Sequence, residues 1–149
     1  MIAMLRPHSW DFPLFIHVFG AMLLFGSTLA AVALSYAGPR ATTLARSLFW
    51  TLLAGAIPAR VVMRVGAALI YNKEHNTVFQ KDPTWIGVGF GVAEPGLLIL
   101  LLATGFAYWW KRSGKVAAVR TVAGLSTLYL ILLVIAWLAM SGKWGGVAG

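Results

Sequence analysis

The chain has 149 residues, 60% of them hydrophobic and only 11% charged, with a mean hydropathy of +0.81. Soluble domains carry about a quarter charged residues, so this composition describes one integral membrane domain over residues 1–149. The 12 basic residues outnumber the 4 acidic ones, but they sit mainly at the ends of apolar runs, where they set topology and meet lipid headgroups, so no nucleic-acid partner is expected. With no cysteine, disulfides, thiolate metal sites and cysteine nucleophiles are excluded.

A membrane-spanning helix needs about 20 mostly apolar residues. The first such run covers residues 13–36, and its length exceeds the roughly 7 to 15 residues of a signal-peptide core, so it reads as a retained span. It opens with "FIHVFGAMLLFG" (Phe15 to Gly26) and holds His17, the sole histidine within a span. Gly20, Ser27 and Ala31 offer positions for close helix approach. Gly38-Pro39 then stops the helix.

The second span covers residues 47–71 and contains "IPARVVMRVGAALIYNKE" (Ile57 to Glu74). Arg60 and Arg64 are four residues apart and share a helix face. Pro58 removes an amide two residues earlier and frees the carbonyl of Ala54, which predicts a kink. After "NKEHNTVFQKDPT" the third span covers 85–110, beginning "WIGVGFGVAEPG". Its glycines do not make a dinucleotide fingerprint, which needs a preceding strand. Gly87 and Gly91 instead form a small-xxx-small ridge for helix packing, and Pro95 marks a second kink beside Glu94. "KRSGK" leads into the fourth span, 116–140. The expected fold is an all-α, integral membrane four-helix bundle.

Counting from the end of span two at ~1.5 Å per residue puts Arg64 roughly 10 Å and Arg60 roughly 16 Å below that boundary, with Glu94 at roughly 13 Å and His17 at roughly 7 Å. An isolated charge in lipid costs at least a few kcal/mol, so such residues face the bundle interior and pair. Arg60, Arg64 and Glu94 are therefore expected to form a buried triad with His17 above or beside it. Two positive charges against one leave a net positive site that suits an anionic ligand.

Arginine and lysine counts give the orientation. The loops after spans one and three hold Arg40, Arg46, Lys111, Arg112, Lys115 and Arg120, against Arg6, Lys73, Lys81 and Lys143 on the other side. The bias places both termini outside the cytoplasm of a bacterial inner membrane. Tryptophans mark both boundaries: Trp10, Trp85, Trp137 and Trp144 outside, Trp50, Trp109 and Trp110 inside.

The stretch around His17 and Gly20 resembles the first helix of small bacterial four-helix membrane proteins, and its histidine-glycine start is similar to the copper-resistance D and membrane-bound protoporphyrinogen oxidase families. The haem-associated members of that group imply His17 as an axial ligand of haem b. Spans two to four hold no second histidine, so bis-histidine ligation within the bundle is not implied. Met22 or Met63 would then be the second ligand, and Arg60 and Arg64 the propionate partners.

The chain shows no nucleophile with its base, no paired carboxylates and no phosphate cradle. The leading expectation is a non-enzymatic subunit whose outer-half polar pocket binds an anionic or redox ligand, haem or quinone. Its partners would be the lipid bilayer and either further copies or other membrane subunits. Two alternatives stay open: a proton- or ion-coupled oligomeric transporter using Glu94, and a purely structural subunit whose charges order the helices.

Overall fold

The computed structural model describes residues 11–75 and 84–141. Helix α1 runs Asp11–Ala37 and a 3₁₀ turn, Gly38–Arg40, follows. Helix α2 (Leu44–Trp50), a π-helical segment (Thr51–Ala56) and helix α3 (Ile57–His75) continue one another as the second span. Helices α4 (Thr84–Ser113) and α5 (Val116–Ser141) complete the bundle. All four spans are long and apolar enough to cross a membrane, and among the described residues there is no strand. The architecture is the expected all-α four-helix bundle of a multi-pass membrane protein. Large apolar side chains such as Leu23, Leu29, Val61, Leu98, Ile131 and Ile135 lie exposed along every span, a surface that only lipid matches.

Each span neighbours the next, and α5 returns to pack on α1. The half of the bundle near the α1–α2 and α4–α5 loops, called here the lower half, is densely filled. Leu24, Leu48, Leu52, Leu100, Val119 and Val122 are fully or almost fully buried there. Alanines at 31, 45, 103, 107 and 118 lie between them and let the helix axes approach. Thr28 and Thr104 return their hydroxyls to the carbonyls of Leu24 and Leu100, both at 2.7 Å, so neither hydroxyl is stranded by this packing. The α4–α5 turn is closed by Gly114, whose φ of 65° lets its amide donate to the Trp110 carbonyl at 2.8 Å, a left-handed cap that favours glycine. Trp110 is not part of the boundary belt. Its ring is buried against Gly38 and Val119, whereas Trp50 and Trp109 are exposed as anchors are. Trp10 and Trp144 lie outside the described residues.

Pro58 does not produce a simple kink. It has no amide for the carbonyl of Ala54, and the turns just before it widen into the π-helical segment, where the Ile57 amide donates to Leu52, five residues back. A π-bulge inserts one residue and rotates everything after it. Pro95 lies inside α4, which is continuous through it.

Two glycines set the closest helix approach. A Cβ on Gly20 would collide with the backbone of Met63, and one on Gly66 would sit 2.5 Å from the backbone nitrogen of His17. α1 and α3 thus touch backbone to backbone at two reciprocal points. The small-residue ridge expected from Gly87 and Gly91 makes no such contact within the chain, since both are exposed and a Cβ on either meets nothing within 4 Å. Gly89 and Gly96, on other faces of α4, lie against Met140 and the Tyr129 ring instead. Helix rotation of ~100° per residue makes the difference: the glycines one and two turns apart share a face, but that face points away from α5.

Replacing Gly66 by alanine should lower stability by about 1–3 kcal/mol, the usual cost of overpacking, because the obstructing atoms are backbone. Gly105→Ala, in open space, should be neutral or slightly stabilising. Reversible unfolding in mixed micelles measures both, and equal effects would contradict the backbone contact.

Candidate functional site

In the upper half, which holds the start of α1 and the end of α5, the helices enclose a cavity of about 950 Å³. That is near the top of the range for small-molecule pockets. It lies among all four spans: His17 and Met22 come from α1, Met63 and Arg64 from α3, Phe90 from α4 and Tyr129 and Trp137 from α5. The walls are mainly apolar, so the polar pocket expected from sequence is an apolar chamber with a few polar groups. On the α1–α5 side Met22 is 70% exposed and Trp137 66% exposed, so this wall faces the lipid and offers a lateral way in.

His17 stands where α1 and α3 are closest. Gly66 brings the two backbones together, and the His17 Nδ1–H donates to the Met63 carbonyl at 3.0 Å. A carbonyl only accepts, so Nδ1 carries a proton, and in the neutral ring Nε2 keeps its lone pair. This bond holds the ring in one tautomer and one orientation, as outer-shell carbonyls do for ligating histidines.

The expected buried triad is divided. Arg64 pairs with Glu94, its Nη2 lying 3.3 Å from the carboxylate oxygen, but the two side chains are 33% and 66% exposed. Arg60 is 5% exposed and donates not to Glu94 but to the backbone carbonyl of Ala93. The reason is helical geometry: Ala93 and Glu94 are ~100° apart around α4, so the face that meets Arg60 presents a carbonyl while the carboxylate turns outward. Arg60 also lies outside the cavity lining, below its floor, which leaves Arg64 as the arginine a ligand in the chamber would meet.

Above this level α3 and α4 are joined chiefly by side chains. The Arg64 guanidinium lies 4.8 Å from the Phe90 ring centroid, within cation–π range, and Phe90 meets Tyr71 edge-on at 5.5 Å. Together with Glu94 they close the α3–α4 side of the chamber.

Sequence reasoning missed Tyr129. Its ring is fully buried, packs on Gly96 and lines the cavity floor. The signal was present, because tyrosines of membrane helices gather at the headgroups and Tyr129 lies mid-span in "STLYLILL". Among the described residues no group of three or more histidine, cysteine, aspartate or glutamate side chains is placed to hold a metal ion.

No family model matches the chain, and neither a curated protein nor a solved structure matches it.

The Arg64–Glu94 pair makes a double-mutant cycle informative. Glu94→Leu alone leaves a cation without its partner and should destabilise more than Arg64→Leu and Glu94→Leu together, with a coupling energy of about 1–3 kcal/mol. Additive effects in micelle unfolding would show that the pair contributes nothing.

Proposed function

We propose that the protein is a small membrane-embedded binding subunit, not itself an enzyme, that holds an amphipathic anionic or redox ligand in its upper chamber, with haem or a quinone as the ligand. The observation that carries this reading is His17. Its ring lines the chamber, is locked through Nδ1 to Met63 and keeps the Nε2 lone pair for a ligand.

Haem fits the donors present. His17 Nε2 would hold the iron, with Met22 or Met63, both on the cavity wall, as a thioether donor. Arg64 would meet a propionate, a charge-assisted bond for which the guanidinium fork is suited. Haem when bound supplies a one-electron couple. The residues contribute orientation of the ring, exclusion of water by apolar walls and a counter-charge. Of these roles, the resemblance of the first span to the copper-resistance D group implies that of His17 alone.

A quinone would use the same features differently. One headgroup oxygen would meet His17 or Arg64, and the apolar tail would leave between α1 and α5 past Met22 and Trp137. Since neither ligand has to cross water to enter, the lateral opening suits both.

A second reading, proton- or ion-coupled transport by an oligomer, is favoured by the exposure of the Glu94 carboxylate at mid-span, where charge is costly unless it works. It predicts that Glu94→Gln abolishes flux in proteoliposomes while His17→Ala does not.

The deciding experiment is an absorption spectrum of protein expressed with haem supply, oxidised and then dithionite-reduced. A Soret band that disappears in His17→Ala is the expected result for haem. A flat visible spectrum would remove haem, and saturable quenching of tryptophan fluorescence by decylubiquinone would then be the expected result for a quinone site.

A further inference from the structure

At the cavity floor and beneath it lie polar atoms that the reading above does not use. Three helices converge there. Arg60 of α3 reaches the Ala93 carbonyl of α4, and Gly96, one turn further along α4, makes room for the Tyr129 ring of α5. The Tyr129 hydroxyl oxygen lies close enough to the Arg60 guanidinium to feel its charge and to accept from it. Its own hydrogen meets no acceptor among the described residues, and Arg60 Nε, Ser126 Oγ and Thr127 Oγ1 likewise have no hydrogen-bond partner there.

Buried polar atoms are nearly always paired, so several together need an explanation. The charge needs one as well. Arg60 is 5% exposed and faces a neutral carbonyl, while Glu94 is turned outward onto Arg64. A lone cation at this depth is costly, and a carbonyl dipole offsets only part of that cost. Water would satisfy the hydroxyls without supplying negative charge. Tyr129 borders the chamber but is fully buried, so a partner arriving from above reaches its hydroxyl through a side-chain rearrangement at the floor, and because the chamber walls are apolar, that partner must carry an apolar body.

We propose that Tyr129 and Arg60 form a second, interior subsite at the cavity floor that receives an electron-rich oxygen of the amphipathic ligand, a carboxylate or a quinone carbonyl. Tyr129 donates its hydroxyl hydrogen to that oxygen, and Arg60 behind it supplies the compensating positive charge. The ligand is then gripped at two depths, near His17 above and at Tyr129 below, which selects a molecule with polar groups at separated positions. This rests on the chamber being a ligand site, and its test separates the two.

Wild-type protein in nanodiscs is titrated with haem, haem dimethyl ester and decylubiquinone, following tryptophan fluorescence, and the titrations are repeated on Tyr129→Phe, Arg60→Met and His17→Ala. Tyr129→Phe removes one oxygen and keeps the ring, so folding is preserved. Both floor variants should weaken the preferred probe about tenfold, the value of one charge-assisted hydrogen bond. Tighter binding of haem than of its ester, with that difference lost in Tyr129→Phe, identifies a carboxylate at the floor, and loss confined to decylubiquinone identifies a quinone carbonyl. If His17→Ala abolishes binding while Tyr129→Phe binds every probe as wild type does, the chamber stands and the floor subsite is overturned. If wild type binds none of the three, both fall. Should Arg60→Met fail to fold, Tyr129→Phe decides alone.

Discussion

The bond from Arg60 to the Ala93 carbonyl is the constraint around which the molecule is arranged. It ties α3 to α4 at mid-depth with a cation that cannot reach water. Below it the helices close into a conventional core of leucine, valine and alanine. Above it they enclose the chamber, and α3 and α4 communicate through Arg64, Glu94, Phe90 and Tyr71. Dispersion and small-residue packing hold membrane helices together where no hydrophobic drive exists between them. Apart from the α1–α3 contact at Gly20 and Gly66, the lower half supplies most of both, so the upper half is the part of the bundle that can hold something other than its own side chains.

Two backbone irregularities position the groups that matter. The π-helical segment before Pro58 shifts the register of α3 by one residue, and this rotation determines which faces carry Arg60, Met63 and Arg64. The reciprocal glycines Gly20 and Gly66 then press α3 onto α1, which brings the Met63 carbonyl to the His17 ring. A backbone contact thereby fixes a side-chain tautomer. Enlarging either glycine acts on the imidazole without touching it, so the packing and the chemistry of His17 are one feature.

Much of the fold was legible in the sequence because bilayer thickness and backbone satisfaction leave few alternatives: four apolar runs of sufficient length had to be four helices. Gly20 was legible as a close-approach position because a small residue in an apolar helix has few other uses, while its counterpart Gly66 was obscured by the arginines beside it. The face that Glu94 presents was not legible. Depth along the axis placed it level with the arginines, but azimuth decides contact, and one residue of rotation gave Arg60 a carbonyl in place of a carboxylate. Gly87 and Gly91 turn away from α5 for the same reason. Trp110 failed differently: its position near a helix end suggested an anchor, but Gly38 leaves a space that its ring fills. Tyr129 could have been found as a hydroxyl aromatic out of place at mid-span.

The central claim is that the chamber takes a ligand through a histidine whose Nδ1 is committed to the backbone. Nitrogen-15 magnetic resonance of histidine-labelled protein in lipid, with the His17 signals assigned by comparison with His17→Ala, tests it most directly. Ligand-free protein should show a protonated Nδ1 and an unprotonated Nε2, with the Nε2 resonance shifted or broadened when haem or decylubiquinone is added. A protonated Nε2, or a resonance that both ligands leave unchanged, would contradict it.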